Sequence, residues 1–214
     1  MITQAALNKE IDLIIANAIR EDVGPGDYSS LACIPKDASG KAIEILIEDG
    51  TQVEIGDIVF YVTGNSQSIL KAERLVLNAM QRMSAIATKT NKYASLLEGT
   101  KTKILDTRKT TPGFRALEKI AVKIGGGENH RFALYDMVML KDNHIDFAGG
   151  ITQAITKTQN YILENKLDLK IIVEARDIAE VKEILNAGGV YRILLDNFNY
   201  EDTREAVKII GDQC

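Results

Sequence analysis

The stretch LKIIVEARDIAEVKEILNAGGVYRILLD, residues 169–196, sets two apolar runs on either side of a charged, amphipathic segment that ends in Gly188-Gly189. The runs LKIIVEA (169–175) and YRILLD (191–196) are apolar throughout rather than alternating, as expected of strands covered on both faces. The segment between them, IAEVKEILNAGG (178–189), has helical spacing and a glycine stop. Strand, helix, strand predicts a parallel pair joined by a right-handed crossover. The alternation continues outward. KILD (103–106) and DMVMLK (136–141) read as strands. RALEKIAVK (115–123), ITQAITKTQNYILEN (151–165) and EDTREAVKIIG (201–211) read as helices. Four βα units in a row predict a (β/α) barrel or a fragment of one over residues 101–214.

Residues 1–100 follow a different pattern. Apolar side chains at 7, 11, 14, 15, 18 and 19 predict a helix over 4–20, stopped by the turn-rich EDVGPGDYSS. AIEILIEDGTQVEIGDIVFYVTG (42–64) reads as two or three strands, with Ile43, Ile45 and Ile47 alternating. Residues 66–90 have the period of one long helix. This half is expected to be a separate α+β domain.

Composition narrows the function. The chain has 214 residues, 45% hydrophobic and 26% charged, with a net charge of −4 and only 6% aromatics. That balance argues against a nucleic-acid binder. No apolar run is long enough to span a membrane, and the start lacks the basic region of a secretory signal. Two distant cysteines, Cys33 and Cys214, form neither a disulfide framework nor a zinc motif, so a cytoplasmic setting is the default expectation. The charge is uneven: residues 101–145 hold nine Lys/Arg against five Asp/Glu, and both histidines. A basic segment in an acidic chain suits a small polyanionic ligand.

The polar residues follow a rule of position. Asp106, Lys141, Asp142, Glu174, Asp196 and Asn197 end a predicted strand or follow it by one step, where barrel loops build active sites. Taken singly, each could simply cap a strand; taken together, they point to a shared site. LDTRKTTPGFR (105–115) adds Arg108 and Lys109, an anion-binding fork and a point charge, with hydroxyls from Thr107, Thr110 and Thr111. GGGENHR (125–131) lacks GxGxxG and GxxxxGK[ST], so it is neither a dinucleotide fingerprint nor a P-loop. Its glycines allow close backbone approach, and His130 and Arg131 present further anion donors. Lys141 can hold a carboxylate or phosphate; His144 reads as structural. Glu174 and Asp196 could hold Mg²⁺, stabilise a developing cation, or pair with the cations nearby. On the long helix Arg74, Asn78 and Gln81 share a face, and could equally be solvated polar groups.

In order, AERLVLNAMQRMSAIATKT, ILDTRKTTPGFRALEKIAVKIGGGENHR, LYDMVMLKDNHI, VEAR and LLDNF resemble the quinolinate phosphoribosyltransferase family, also called nicotinate-nucleotide pyrophosphorylase (carboxylating). The resemblance runs over nearly the whole chain. It implies an α/β fold with an N-terminal α+β sandwich domain and a C-terminal (β/α) barrel-like domain, here incomplete. It implies transfer of phosphoribosyl from phosphoribosyl pyrophosphate to quinolinate, giving nicotinate mononucleotide, CO2 and pyrophosphate, with Mg²⁺, in de novo NAD synthesis. Arg108, Lys109, His130, Arg131 and Lys141 would line the anion pocket, and Thr107 would contact substrate. Arg74 would be donated across a homodimer interface, in a dimer or a larger assembly. Glu174 and Asp196 would lie near ribose and metal, with Lys109, Lys141, Glu174 and Asp196 as the catalytic set. Family members also carry a serine-glycine-glycine phosphate loop beyond the position of Cys214 and a longer segment near 39–46. The resemblance therefore also implies a shortened chain, and with it the alternative of a non-catalytic remnant or binding partner.

Overall fold

The computed structural model describes residues 2–35 and 42–214, which fall into two compact units, Ile2–His130 and Arg131–Cys214. The expected shortening at 39–46 lies in part outside the described residues. The division at 130/131 differs from the domain boundary expected at 100/101. The segment 104–130 is tied by its loops and its helix to the long helix of the first unit.

In the first unit, α1 (Gln4–Val23) starts on the Thr3 hydroxyl, which accepts from the Ala6 amide, and ends at Gly24. A short α2 (Tyr28–Cys33) occupies sequence read as loop; Asp27 caps it by accepting from the Ser30 amide. β1 (Ala42–Ile45) and β2 (Phe60–Thr63) pair antiparallel, Ala42 opposite Thr63, so the two-strand alternative holds. α3 (Ser66–Ala94) is capped by Asn65, and α4 (Arg115–Ile124) packs along it. The strand expected at 103–106 is reduced to one parallel bridge between Leu105 and Glu128. Glu128 donates its amide to Ile104 O at 2.8 Å, and Asp106 donates to Glu128 O at 3.1 Å. The basic loop after Asp106 turns the chain away before a longer ladder can form.

In the second unit, β3 (Val138–Leu140), β4 (Ile171–Ala175) and β5 (Arg192–Leu195) form a parallel sheet in that order. α5 (Asp142–Ala148), α6 (Ile151–Glu164), α7 (Ile178–Ala187) and α8 (Tyr200–Ile210) complete the unit. α5 was not foreseen. The Lys141 amide donates to His144 Nδ1 at 3.0 Å and starts this helix, and Gly149 (φ 94°) ends it. His144 thus has the structural role expected of it. Asp177 and Asn199 cap α7 and α8.

Strand parity divides the burial. Ile171, Val173 and Ala175 pack with Ile151, Ile155, Val181, Ile184 and Ala206 of α6, α7 and α8. Ile172, one step out of phase, is also fully buried, so both faces of β4 are covered. Ile184 has no exposed surface. Ile184→Ala is expected to lower unfolding free energy by about 2–5 kcal/mol, read from the urea midpoint with an unchanged slope.

Candidate active site

Three groups in the second unit obey one parity. Met139 is in register with Ile172, and Glu174 with Leu194. Counting on in steps of two puts Lys141, Glu174 and Asp196 on the face opposite the helices, at the C-terminal ends of adjacent strands. Lys141 Nζ and Glu174 Oε1 meet at 2.8 Å. The Asp196 amide donates to Ala175 O at 2.9 Å, fixing the chain as it leaves β5, and Asn197 follows with φ 56°. Lys141 is nearly half exposed while Glu174 is mostly covered, so the ammonium can reach a second anion without leaving its partner. Arg131 is buried, and its guanidinium donates to Met137 O at 3.2 Å. The Phe132 and Ala133 amides close on the Asp136 carboxylate at 2.8 and 2.7 Å, shaping the turn after it.

In the first unit, Thr107, Arg108 and Lys109 lie on one loop. Lys109 and Thr107 are exposed and Arg108 is half-buried; the Lys109 amide donates to the Thr107 hydroxyl at 3.0 Å. The other two hydroxyls serve the loop itself. Thr110 accepts from Arg115 Nε at 3.0 Å. Thr111 donates from its hydroxyl (2.7 Å) and its amide (3.2 Å) to Glu118, which also receives Arg82 Nε and Nη2 at 3.0 and 2.8 Å. Burial pushes the Glu118 carboxyl up, but the hydrogen bonds from Thr111 and Arg82 outweigh it and hold the group below the ordinary value. Arg82, one of several polar residues on α3, thereby has a defined partner on α4. Arg74, Asn78 and Gln81 lie on exposed positions of α3.

Asp106 does not open onto a ligand, as its strand-end position suggested. Its side chain is only 6% exposed, with Oδ1 taking Lys119 Nζ at 2.5 Å and the His130 amide at 2.8 Å, and Oδ2 taking Asn129 Nδ2 at 2.6 Å. Lys119 Nζ also donates to His130 O at 3.2 Å. Sequence reasoning missed Glu118 and Lys119. The signal was present: both are charged, yet they sit among the residues that α4 buries.

The glycines of 125–127 face protein rather than ligand. A Cβ on Gly125 would stand 2.4 Å from Ala87 O and 2.8 Å from Thr90 Cβ; one on Gly127 would meet Val122 and Thr90 at 2.8 and 2.9 Å. The close approach read from the glycine run is that of the loop to α3.

The structure thus brings Lys141 and Glu174 into contact and aligns Asp196 with them by strand parity. It places Thr107, Arg108 and Lys109 on one loop, with Arg74 on a separate stretch of α3. Together these features define an α/β protein with a cation–carboxylate site at the ends of parallel strands, preceded by a helix-rich α+β unit carrying a basic loop. Two family models match the chain: the N-terminal domain of quinolinate phosphoribosyl transferase over residues 26–84 and its C-terminal domain over residues 86–214. The chain therefore belongs to the quinolinate phosphoribosyl transferase family. The rice protein named nicotinate-nucleotide pyrophosphorylase [carboxylating], chloroplastic, is 40% identical over 88% of this chain and 59% of its own length. A probable nicotinate-nucleotide pyrophosphorylase [carboxylating] of Archaeoglobus fulgidus is 42% identical over 75% of this chain and 60% of its own. This chain thus spans about three-fifths of those relatives. Among solved structures, Streptococcus pyogenes NadC superimposes with a TM-score of 0.84 at 33% identity, covering 95% of this chain and 81% of that one. The nicotinate-nucleotide pyrophosphorylase of Francisella tularensis gives 0.85 at 33% identity, covering 96% and 81%.

Two predictions follow from this geometry. Gly125→Ala is expected to destabilise the chain by about 1–3 kcal/mol in chemical denaturation, because the new methyl meets a backbone carbonyl. The lowered Glu118 carboxyl contributes stability above its unfolded pKa, and that contribution is lost as pH falls through the folded value. Glu118→Gln should therefore flatten the acid limb of the stability–pH curve below the ordinary carboxylate range.

Proposed function

We propose that this chain transfers phosphoribosyl from phosphoribosyl pyrophosphate to quinolinate, with decarboxylation, yielding nicotinate mononucleotide, CO2 and pyrophosphate in de novo NAD synthesis. The observation that carries this reading is the Lys141–Glu174 ion pair at the ends of β3 and β4 in a chain of this family. Both substrates are polyanions, and the chain offers a matching set of cationic and hydrogen-bonding side chains. Arg108, Lys109 and His130 belong to the first unit, Arg131 and Lys141 to the second. Thr107 keeps a hydroxyl proton to donate. Arg74 is exposed on α3, flanked by exposed Leu70, Val76 and Leu77, which supports its donation to a second copy in a homodimer or larger assembly.

Loss of pyrophosphate leaves positive charge at the anomeric carbon, in an oxocarbenium-like transition state comparable to that of glycoside cleavage. Glu174 and Asp196 would supply the negative field for that charge, and Lys141 and Lys109 positive charge for the anionic groups of the substrates. Once the ring nitrogen carries the ribosyl group, its positive charge stabilises the electron pair left on the adjacent ring carbon as CO2 departs, and a proton from solvent then completes that carbon, so no covalent nucleophile is required.

The donor set suits Mg²⁺. No cluster of three or more acidic, histidine or cysteine ligands occurs among the described residues, and two carboxylates on neighbouring strand ends match an ion bound mainly by substrate phosphates. Glu174 and Asp196 would hold it, and it would neutralise charge on the departing pyrophosphate. Among the described residues no helix is long and apolar enough to cross a membrane.

The test is release of CO2 and pyrophosphate from the two substrates by the purified 214-residue chain, with nicotinate as the control acceptor. Turnover with quinolinate alone is the expected result. No turnover, with no calorimetric binding of quinolinate, would reject the reading in favour of a non-catalytic family member. Lys141→Met should lower kcat/KM by about a hundredfold or more, because it removes a charge-assisted donor and leaves Glu174 without its cation.

A further inference from the structure

We infer that Asp106 and Lys119 are positioning residues, whose buried ion pair fixes the peptide groups of His130 and so presents the His130 side chain to anionic substrate. The inference rests on the functional reading above, which gives that side chain its ligand. Its geometric basis lies within the first unit. Residue 130 has two backbone polar atoms, and side chains of the pair hold both: Asp106 Oδ1 takes its N–H at 2.8 Å, and Lys119 Nζ donates to its C=O at 3.2 Å. Asn129, one residue earlier, is held twice, by Asp106 Oδ2 at 2.6 Å and by Lys119 O at 2.9 Å. Glu128, one residue earlier again, is bridged to Ile104 and Asp106. Three consecutive residues of the loop are therefore tied to α4 and to the segment 104–106, immediately before Arg131.

A pair that only stabilised the fold would need none of this. Buried ion pairs are commonly replaceable by apolar side chains of similar volume at little cost in stability. Here both carboxylate oxygens and the ammonium are directed at loop groups, so an apolar pair could fill the volume but could not orient the loop. Lys119 is 3% exposed and Asp106 6%, and the polar atoms of both side chains are already engaged by each other and by the loop. A binding group depends on such support, because displacement of a side chain by about an ångström is enough to lose much of its effect.

The test is amide hydrogen exchange together with quinolinate titration. In the unsubstituted chain the His130 amide should exchange as slowly as Ala121 and Val122 inside α4; exchange at the rate of an open loop overturns the inference without any variant. The double variant Asp106→Leu/Lys119→Met removes the side-chain bonds to His130 and leaves no lone buried charge. It should exchange the His130 amide at least about tenfold faster relative to α4, and weaken quinolinate binding by about tenfold to a hundredfold. A variant that melts at lower temperature but keeps both values would show the pair to be merely stabilising, and would overturn the inference. If the unsubstituted chain binds no quinolinate, the functional reading fails, and the exchange measurement still decides the positioning.

Discussion

The first unit is organised around two adjacent charges on one helix. Glu118 and Lys119 are consecutive residues of α4, both withdrawn from water, and each must be compensated where it lies. Glu118 collects the hydroxyl and amide of Thr111 and the guanidinium of Arg82. Lys119 collects Asp106 and the carbonyl of His130. Successive side chains project from a helix about 100° apart. The dipeptide therefore grips two loops at once, the basic loop that ends at Phe114 and the glycine loop that ends at His130. The requirement to satisfy two buried charges fixes the loops on which most of the first unit's candidate anion ligands stand.

The second unit follows a plainer constraint. In a parallel sheet every strand ends on the same side, and alternate residues share a face. Lys141, Glu174 and Asp196 need only the right parity and a place at the end of the strand to be brought into line. The loops that follow are shaped by local hydrogen bonds: His144 accepting from the Lys141 amide, and the Asp136 carboxylate gathering two amides beyond Arg131. Burial on the helix side of the sheet is apolar throughout, which separates the part of the unit that holds it together from the part that carries charge.

Periodic features were legible in the sequence. The long helices, the three parallel strands and the strand-end position of Lys141 and Glu174 all follow from runs and periods that a single chain displays. Features set by short-range hydrogen bonds were not. α2 depends on one aspartate cap within a stretch rich in turn formers, and α5 on a histidine accepting a backbone amide. The strand expected at 103–106 shrank to a bridge, since four apolar and polar residues do not state how far their ladder extends. The glycine run announced a close approach but not what it approached, because Ala87 and Thr90 lie more than thirty residues away. The charges on the buried face of α4 were visible as exceptions to its amphipathic pattern. Their partners, on α3 and on the loops before and after α4, were not.

The seating of Gly125 and Gly127 on Ala87 and Thr90 bears on how this chain can vary in length. α3 meets the segment 111–127 twice, through Arg82 at one level and through Ala87 and Thr90 about one and two turns further on. One inserted or deleted residue between them would turn one contact away from the other by roughly 100°. The spacing from 82 to 90 is thus held to the residue by tertiary structure.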